Sequence, residues 1–136
     1  LIPVVATKTD GSALFRDCKN SNVPLLSYPS NTFFAQVLEK HGSIAQSLCT
    51  FDVVYENAVT HSLKSMVLSG HGVAWLPEGF VQEELDQGSL IRFSETISPI
   101  TAEIKLYRFS TEEMTPGMSK LWQHFKDTNG ETPKAP

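Results

Sequence analysis

Residues 63 to 90, LKSMVLSGHGVAWLPEGFVQEELDQGSL, decide the fold of this chain because two helical patterns flank one very short apolar segment. Leu63, Met66 and Val67 stand at positions i, i+3 and i+4, which predicts an amphipathic helix with one buried side. The segment 73–76 is apolar at every position and lies between glycine and proline, so it indicates a strand covered on both faces. A helix, a buried strand and a second helix in succession are typical of a layered α/β domain.

Glycines mark the ends of both helical patterns. Gly70 and Gly72 flank His71 after the first pattern, and Gly88 follows the second. Glycine at these positions suits a left-handed helix C-cap, because it has no Cβ to clash in that conformation. We therefore interpret His71 as part of a helix end, where its side chain suits the helix dipole, and not as a catalytic base.

Strand and helix patterns alternate on both sides of this stretch. Strands are predicted near residues 1–7, 23–29, 47–57, 73–76, 89–95 and 101–110, and helices near 30–42, 58–72, 80–88 and 115–130. In the last helix, Thr115 is the expected N-cap and Pro116 the first helical residue. This order predicts an α/β domain with a mainly parallel sheet, flanking helices and right-handed crossovers.

Composition excludes several classes of protein. The chain has 136 residues, of which 40% are hydrophobic and 19% charged, so it is neither a disordered segment nor a membrane protein. Its net charge is -4 and its basic residues are scattered, which argues against a nucleic-acid-binding surface on this chain. The opening letters LIPVVAT read as the middle of a strand, so we expect a piece of a longer protein.

No motif points to catalysis, a metal or a cofactor. The chain has no G-x-S-x-G elbow, phosphate-binding loop or G-x-G-x-x-G turn, and we predict that it is not an enzyme. Cys18 and Cys49 lack metal-ligand spacing to other cysteines or histidines and are too few for a disulfide framework. We therefore predict two reduced, partly buried thiols and no metal site.

Two loops have the position of a ligand site. Parallel sheets bind ligands outside the carboxyl ends of their strands, close to helix N-termini. Residues 28–32 offer hydroxyls, an amide and free helix N–H groups, which serve either as a helix cap or as contacts for a small anion. Residues 55–60 occupy the same place one unit later, but Glu56 disfavours an anion there and favours a cation, an amine or a hydrogen-bond donor.

The central stretch resembles a pattern found in LysR-type transcriptional regulators. Residues 70–77, GHGVAWLP, are similar to that family's G-x-G-[IV]-A-x-L-P run, and residues 88–90 to the G-x-L that follows it. The similarity extends from about residue 1 to residue 126. The segments ALF, PLLSYPSNTFF and GVAWLPEGFVQEE look most like the hypochlorite-responsive branch. The resemblance implies a fold like that of a type 2 periplasmic binding protein.

The same resemblance assigns parts of the chain. Residues 1–110 look like the second lobe of the effector-binding domain, including its C-terminal strand, and residues 111–128 like the helix that returns to the first lobe. Residues 129–136 are expected to be a disordered tail. The first lobe and the DNA-binding domain would be missing, so the chain looks like a truncated regulator.

The resemblance also implies site residues. Effector contacts carry over to two short segments after strands: Pro29, Ser30, Asn31, Thr32, Asn57 and Val59. In the oxidant-responsive branch sulfur atoms are the expected targets, which here are Cys18, Cys49 and Met66.

The partners implied by the family are a small-molecule anion or an oxidant as effector, and a second copy or more of the chain in a dimer or tetramer. DNA would be contacted only through the absent N-terminal domain, the protein would be cytoplasmic, and no membrane contact is expected. Two other classes stay open: a free-standing solute-binding module of the same fold, and a small α/β enzyme with a convergent nucleophile and base.

Overall fold

The computed structural model describes residues 1–15, 22–41, 49–103, 105–108 and 114–129. The chain divides into two compact units, Leu1–Glu103 and Ile104–Pro136. The described elements of the first unit are, in order, β1 (Ile2–Ala6), β2 (Val23–Ser27), α1 (Phe33–His41), β3 (Phe51–Glu56), α2 (Thr60–Leu68), β4 (Ala74–Leu76), a 3-10 turn (Glu78–Phe80), α3 (Gln82–Asp86) and β5 (Leu90–Arg92). The second unit contains α4 (Pro116–Asn129).

The described strands form one three-stranded and one two-stranded ladder. β1 lies between β4 and β5 and is antiparallel to both, with Pro3 opposite Trp75. β2 and β3 pair in parallel. A single parallel bridge between Leu25 and Val73 connects the two ladders. β2, β3, β4 and β5 therefore run in one direction, and β1 runs in the other.

The prediction of a mainly parallel sheet is thus correct for β2 to β5 and wrong for β1. Helices follow β2, β3 and β4, and a helical crossover returns the chain to the same end of the sheet, which makes the next strand parallel. No helix lies among the described residues between β1 and β2, at 7–15 and 22. The direction of β1 was therefore not fixed by the alternation of helices and strands.

The glycines of the central stretch have the conformations that their helix ends require. Gly70 has φ +78°, and the N–H groups of Gly70 and His71 donate to the carbonyls of Val67 (2.8 Å) and Met66 (3.1 Å). This is a Schellman motif, in which a left-handed residue lets the last carbonyls of α2 find donors. Gly88, with φ +71°, ends α3 in the same way.

Gly72 is needed for a different reason, which is close packing. A Cβ on Gly72 would lie 2.6 Å from the carbonyl oxygen of Pro24 in β2. The next residue, Val73, donates its N–H to that same oxygen (2.9 Å), and its own carbonyl accepts from the N–H of Leu26 (2.9 Å). Glycine therefore allows the chain before β4 to hydrogen-bond along β2.

Each face of the sheet has its own hydrophobic cluster. Ala74 and Leu76 point to the cluster that contains Leu63 and Val67 of α2. Val73 and Trp75 point to the other cluster, where the Trp75 ring lies 5.3 Å from that of Phe51 in an edge-on arrangement. Because both faces are covered, every residue of β4 is buried, as its uninterrupted apolar sequence predicts.

The strand predicted for residues 101–110 is wrong for the residues that the structure describes there. Residues 101–103 and 105–108 are not part of a strand. Leu106 and Tyr107 are largely exposed, at 58% and 77%. An alternating pattern produces a strand only when a neighbouring strand supplies hydrogen bonds, and the pattern itself does not show that neighbour.

The last helix begins as predicted. Thr115 caps α4 by accepting a hydrogen bond from the N–H of Met118 (3.3 Å), and Pro116 is the first helical residue. Within this second unit the Arg108 guanidinium lies over the Trp122 ring, 5.4 Å from its centroid.

The described helices include none that is long and apolar enough to cross a membrane.

A partly buried ion pair connects α2 to α3. Lys64 Nζ lies 2.6 Å from Glu84 Oε1, and the two side chains are 16% and 15% exposed. Lys64 also lies over the Phe80 ring, with Nζ 4.6 Å from its centroid. The hydrogen bond from Lys64 lowers the pKa of the Glu84 carboxyl below its ordinary value.

Replacement of Gly72 by alanine is expected to destabilise the fold by about 1–3 kcal/mol, the usual cost of forcing a methyl group into a packed site. The Cβ would meet backbone atoms of β2, which cannot move aside as a flexible side chain would. Urea denaturation measures the change. Gly79→Ala is the matched control, because a Cβ there has nothing within 4 Å. Equal stability of the two variants would contradict the packing role of Gly72.

The Lys64–Glu84 pair is expected to make stability depend on pH in the acid range. Because the folded-state pKa of Glu84 is lowered, its contribution is complete above the ordinary glutamate pKa of about 4.3 and is lost as the pH falls through the folded-state pKa. The difference in urea midpoint between the protein and Glu84→Gln should therefore shrink from pH 7 to pH 3. A constant difference would show that the carboxylate charge contributes nothing.

Candidate functional site

Two loops lie side by side at the carboxyl ends of β2 and β3. The first loop is residues 28–32, between β2 and α1, and the second loop is residues 57–59, between β3 and α2. The parallel register places Ser27 opposite Glu56, and the N–H of Asn57 donates to the carbonyl of Ser27 (3.0 Å). We call the surface formed by residues 28–34 and 57–61 the strand-end site.

In the first loop, Thr32 is the N-cap of α1. Its hydroxyl donates to the carbonyl of Pro29 (2.8 Å) and accepts from the N–H of Ala35 (3.4 Å). Its backbone N–H also donates to Pro29 (2.9 Å). The capping interpretation is therefore confirmed for Thr32, and its hydroxyl is already engaged within the loop.

Other groups of the first loop remain available to a ligand. Ser30 and Asn31 are exposed, and neither side chain hydrogen-bonds to any residue that the structure describes. The N–H groups of Phe33 and Phe34, in the first turn of α1, likewise have no acceptor among the described residues. All of these groups can donate a hydrogen bond, and the helix dipole adds partial positive charge at the same place.

In the second loop, the side chain of Asn57 organises the backbone. Its Oδ1 accepts from the N–H of Val59 (2.8 Å), and its Nδ2 donates to the hydroxyl of Tyr55 (2.8 Å). This is an Asx turn, which prepares the chain to enter α2. Val59, the residue before α2, makes no side-chain capping bond, and its side chain is 57% exposed.

Tyr28 and Thr60 connect the two loops, and the sequence reasoning missed both as site residues. Tyr28 is only 3% exposed, and its hydroxyl donates to Thr60 Oγ1 (3.4 Å). Its ring packs against that of Phe34 in α1, with centroids 5.2 Å apart. Burial raises the pKa of the Tyr28 hydroxyl, which therefore keeps its proton. The available signal was an aromatic residue directly after a buried strand.

Of the predicted redox residues, Cys49 and Met66 are described by the structure and lie outside the strand-end site. Cys49 is buried, at 7% exposure, and is disulfide-bonded, so the prediction of a reduced thiol is wrong for this residue. Sequence spacing does not show which sulfur atoms meet in space. Cys18, the other cysteine of the sequence, lies outside the described residues. Met66 is half-buried and packs against the cluster that contains Leu63.

The described residues include no group of three or more His, Cys, Asp or Glu side chains suited to a metal ion. In the same part of the chain, no histidine side chain hydrogen-bonds to a serine, threonine or cysteine side chain. The first loop therefore presents hydrogen-bond donors and apolar surface, whereas the exposed Glu56 at the end of β3 adds negative charge beside the second loop.

Comparison with known families decides the identity of the domain. Residues 16–130 match the family model of the LysR substrate binding domain. The chain belongs to the LysR substrate-binding-domain family. The predicted family and its α/β fold, like that of a type 2 periplasmic binding protein, are confirmed.

Individual relatives support the assignment. The chain is 29% identical over 127 residues to the HTH domain-truncated transcriptional regulator QseD of Escherichia coli O157:H7, covering 93% of this chain and 51% of the relative. It is similar in fold to full-length HypT from Salmonella typhimurium, a LysR-type regulator, with a TM-score of 0.74, 22% identity and coverage of 96% and 43%. The bromide-bound regulatory domain of HypT gives a TM-score of 0.60, 25% identity and coverage of 71% and 44%.

The match covers only part of each curated relative. The chain spans about half the length or less of the curated relatives it matches, 51% and 41%. What is shown for this chain is therefore its membership of the LysR substrate-binding-domain family.

Thr32→Ala is expected to lower the free energy of unfolding by about 1 kcal/mol, because the first turn of α1 loses its side-chain cap. Thr32→Ser keeps the capping hydroxyl and should cost much less. Thermal or urea unfolding of the two variants measures the difference. Equal losses would show that the methyl group of Thr32, and not the cap, is what stabilises this end of α1.

Proposed function

We propose that this chain is the second lobe of the effector-sensing domain of a LysR-type transcriptional regulator. The effector contacts are Pro29, Ser30, Asn31, Thr32, Asn57 and Val59, in the two loops of the strand-end site. One observation carries the proposal. The Ser27–Asn57 hydrogen bond brings the two loops together at the place where α1 and α2 begin. Open α/β folds bind ligands at this kind of place.

The proposed effector is a small anion. The groups available in the first loop are donors: the Ser30 hydroxyl, the Asn31 amide and the N–H groups of Phe33 and Phe34. Such a set favours negative charge. The bromide ion bound by the related regulatory domain of HypT supports an anionic ligand.

Two of the six residues have a supporting role in this proposal. Thr32 and Asn57 use their side chains to cap α1 and to shape the turn before α2. They hold the loops in place, while Ser30 and Asn31 are free to contact the effector. Val59 adds exposed apolar surface, as Phe33 does on the other loop at 56% exposure. An anion with an apolar part would use both kinds of surface.

An oxidant is a weaker candidate as effector. A sulfur atom that reacts with oxidant needs access to solvent. Met66 packs against the core, and Cys49 is buried and already disulfide-bonded. The described sulfur atoms of the first unit therefore favour direct binding of an anion over oxidation as the signal.

For the whole regulator, the proposal follows the family. DNA is bound by an N-terminal domain, the protein forms a dimer or tetramer in the cytoplasm, and the effector changes the placement of the lobes. We expect the domain to bind an effector and not to catalyse a reaction, because it belongs to the LysR substrate-binding-domain family. QseD and the other curated relative are both transcriptional regulators, which supports this placement.

The anion site is tested by titrating the protein with sodium bromide and following backbone amide signals by NMR. The amides of Phe33 and Phe34 should shift and saturate. The amide of Gly117 is an internal control, because it lies in the first turn of α4, away from the two loops in sequence. Asn31→Ala should weaken binding roughly twofold to tenfold, the equivalent of one hydrogen bond. Equal shifts at Gly117 and Phe33 would mean general association with helix ends and would overturn the proposal.

The regulator assignment is tested separately by the intact mass of the native protein in its own cells. A mass well above 15.1 kDa, with the additional residues N-terminal and able to bind DNA, is the expected result. A native mass near 15.1 kDa would contradict it and would favour a free-standing solute-binding module of the same fold.

A further inference from the structure

We propose that Tyr28 is a positioning residue that sets the distance between the two loops of the strand-end site. This inference rests on the proposed function, because the distance matters only if both loops contact one effector. Tyr28 lies directly after β2, and it contacts the helix that follows each loop. Its ring meets Phe34 of α1, and its hydroxyl meets Thr60 of α2.

The ring of Tyr28 is fixed by burial. The residue is 3% exposed and belongs to the cluster that contains Leu26 of β2 and Leu63 of α2. Its centroid lies 5.2 Å from that of Phe34, at an interplanar angle of 48°. Phe34 packs in turn against Phe33, with centroids 5.5 Å apart. A row of three aromatic rings therefore leads from the core to the exposed start of α1.

The hydroxyl completes the link to the second loop. It lies 3.4 Å from Thr60 Oγ1, in the first residue of α2. This is longer than the ~2.8 Å typical of a strong O–H···O bond. The ring contact joins Tyr28 to Phe34 of α1, and the Tyr28 hydroxyl makes the hydrogen bond to α2. Because the Thr60 oxygen accepts the hydrogen bond from Tyr28, the Thr60 hydroxyl can still donate a hydrogen bond to another group.

A second link between the loops is made by backbone alone, from the Asn57 N–H to the carbonyl of Ser27. That bond lies at the strand ends and fixes the start of each loop. Tyr28 acts further along, at the first turns of the helices, where the proposed donors are. It is therefore a side chain through which a change at one loop can reach the other.

The test is amide hydrogen exchange, measured by NMR, on Tyr28→Phe and Thr60→Val. Both variants remove the hydroxyl contact and leave the volume of the side chain nearly unchanged. Each should speed exchange about twofold to fivefold in both first turns, at Ala35 and Gln36 of α1 and at Ser62 and Leu63 of α2. The double variant should add little beyond either single one, because both remove the same contact.

Tyr55→Phe is the matched control. Its hydroxyl bonds Asn57, a residue of the second loop, and does not reach α1. This variant should change exchange in α2 alone. Faster exchange at core strand residues such as Val4 and Leu76, to the same degree as in the first turns, would indicate general destabilisation and would overturn the positioning role. Effects of Tyr28→Phe confined to one loop, or additive effects in the double variant, would overturn it as well.

Bromide titration of the same variants separates this inference from the proposed function. If the protein binds bromide and Tyr28→Phe weakens binding by about twofold or more, both are supported. If the protein does not bind bromide at the first loop, the proposed anion site fails, and the exchange data still decide whether Tyr28 connects the loops. If the unmodified protein binds bromide and Tyr28→Phe binds it with the same affinity, the positioning role of Tyr28 is refuted and the proposed anion site is not.

Discussion

The close approach of the chain at Gly72 to strand β2 is the constraint on which the rest of the first unit depends. A side chain there would collide with the carbonyl of Pro24, which is the same group that accepts a hydrogen bond from Val73. That bond places β4 beside β2 and so connects the two ladders of strands. Because β4 also pairs with β1, the position of one glycine determines how both ladders share a core.

The two hydrophobic faces of the sheet explain why the ligand loops are well placed. α2 is held on one face by Leu63 and Val67 and is connected to α3 by the Lys64–Glu84 pair. With its middle fixed in this way, the N-terminus of α2 lies at the end of β3, beside the loop that follows β2. The site is therefore a consequence of parallel strands that end at the same edge.

Some polar groups of the strand-end site hold the two loops in shape, and others have no hydrogen-bond partner among the described residues. Thr32 caps a helix and Asn57 forms a turn, so the capping interpretation is confirmed for Thr32, and ligand contact by Ser30 and Asn31 stays a proposal. The groups left over are donors, next to the exposed apolar side chains of Phe33 and Val59. We propose that this combination favours an anion with an apolar part.

The sequence by itself determined the helices, their glycine caps, the buried strand at 74–76 and the two loops at the strand ends, because each depends on local periodicity or on backbone conformations that few residues adopt. It also carried the family pattern. Only the tertiary structure decided the reversed direction of β1, the absence of a strand in the described residues 101–103 and 105–108, the disulfide bond of Cys49 and the link from Tyr28 to Thr60. All four depend on which distant segments meet, and a local pattern contains no information about the partner that a residue finds across the fold.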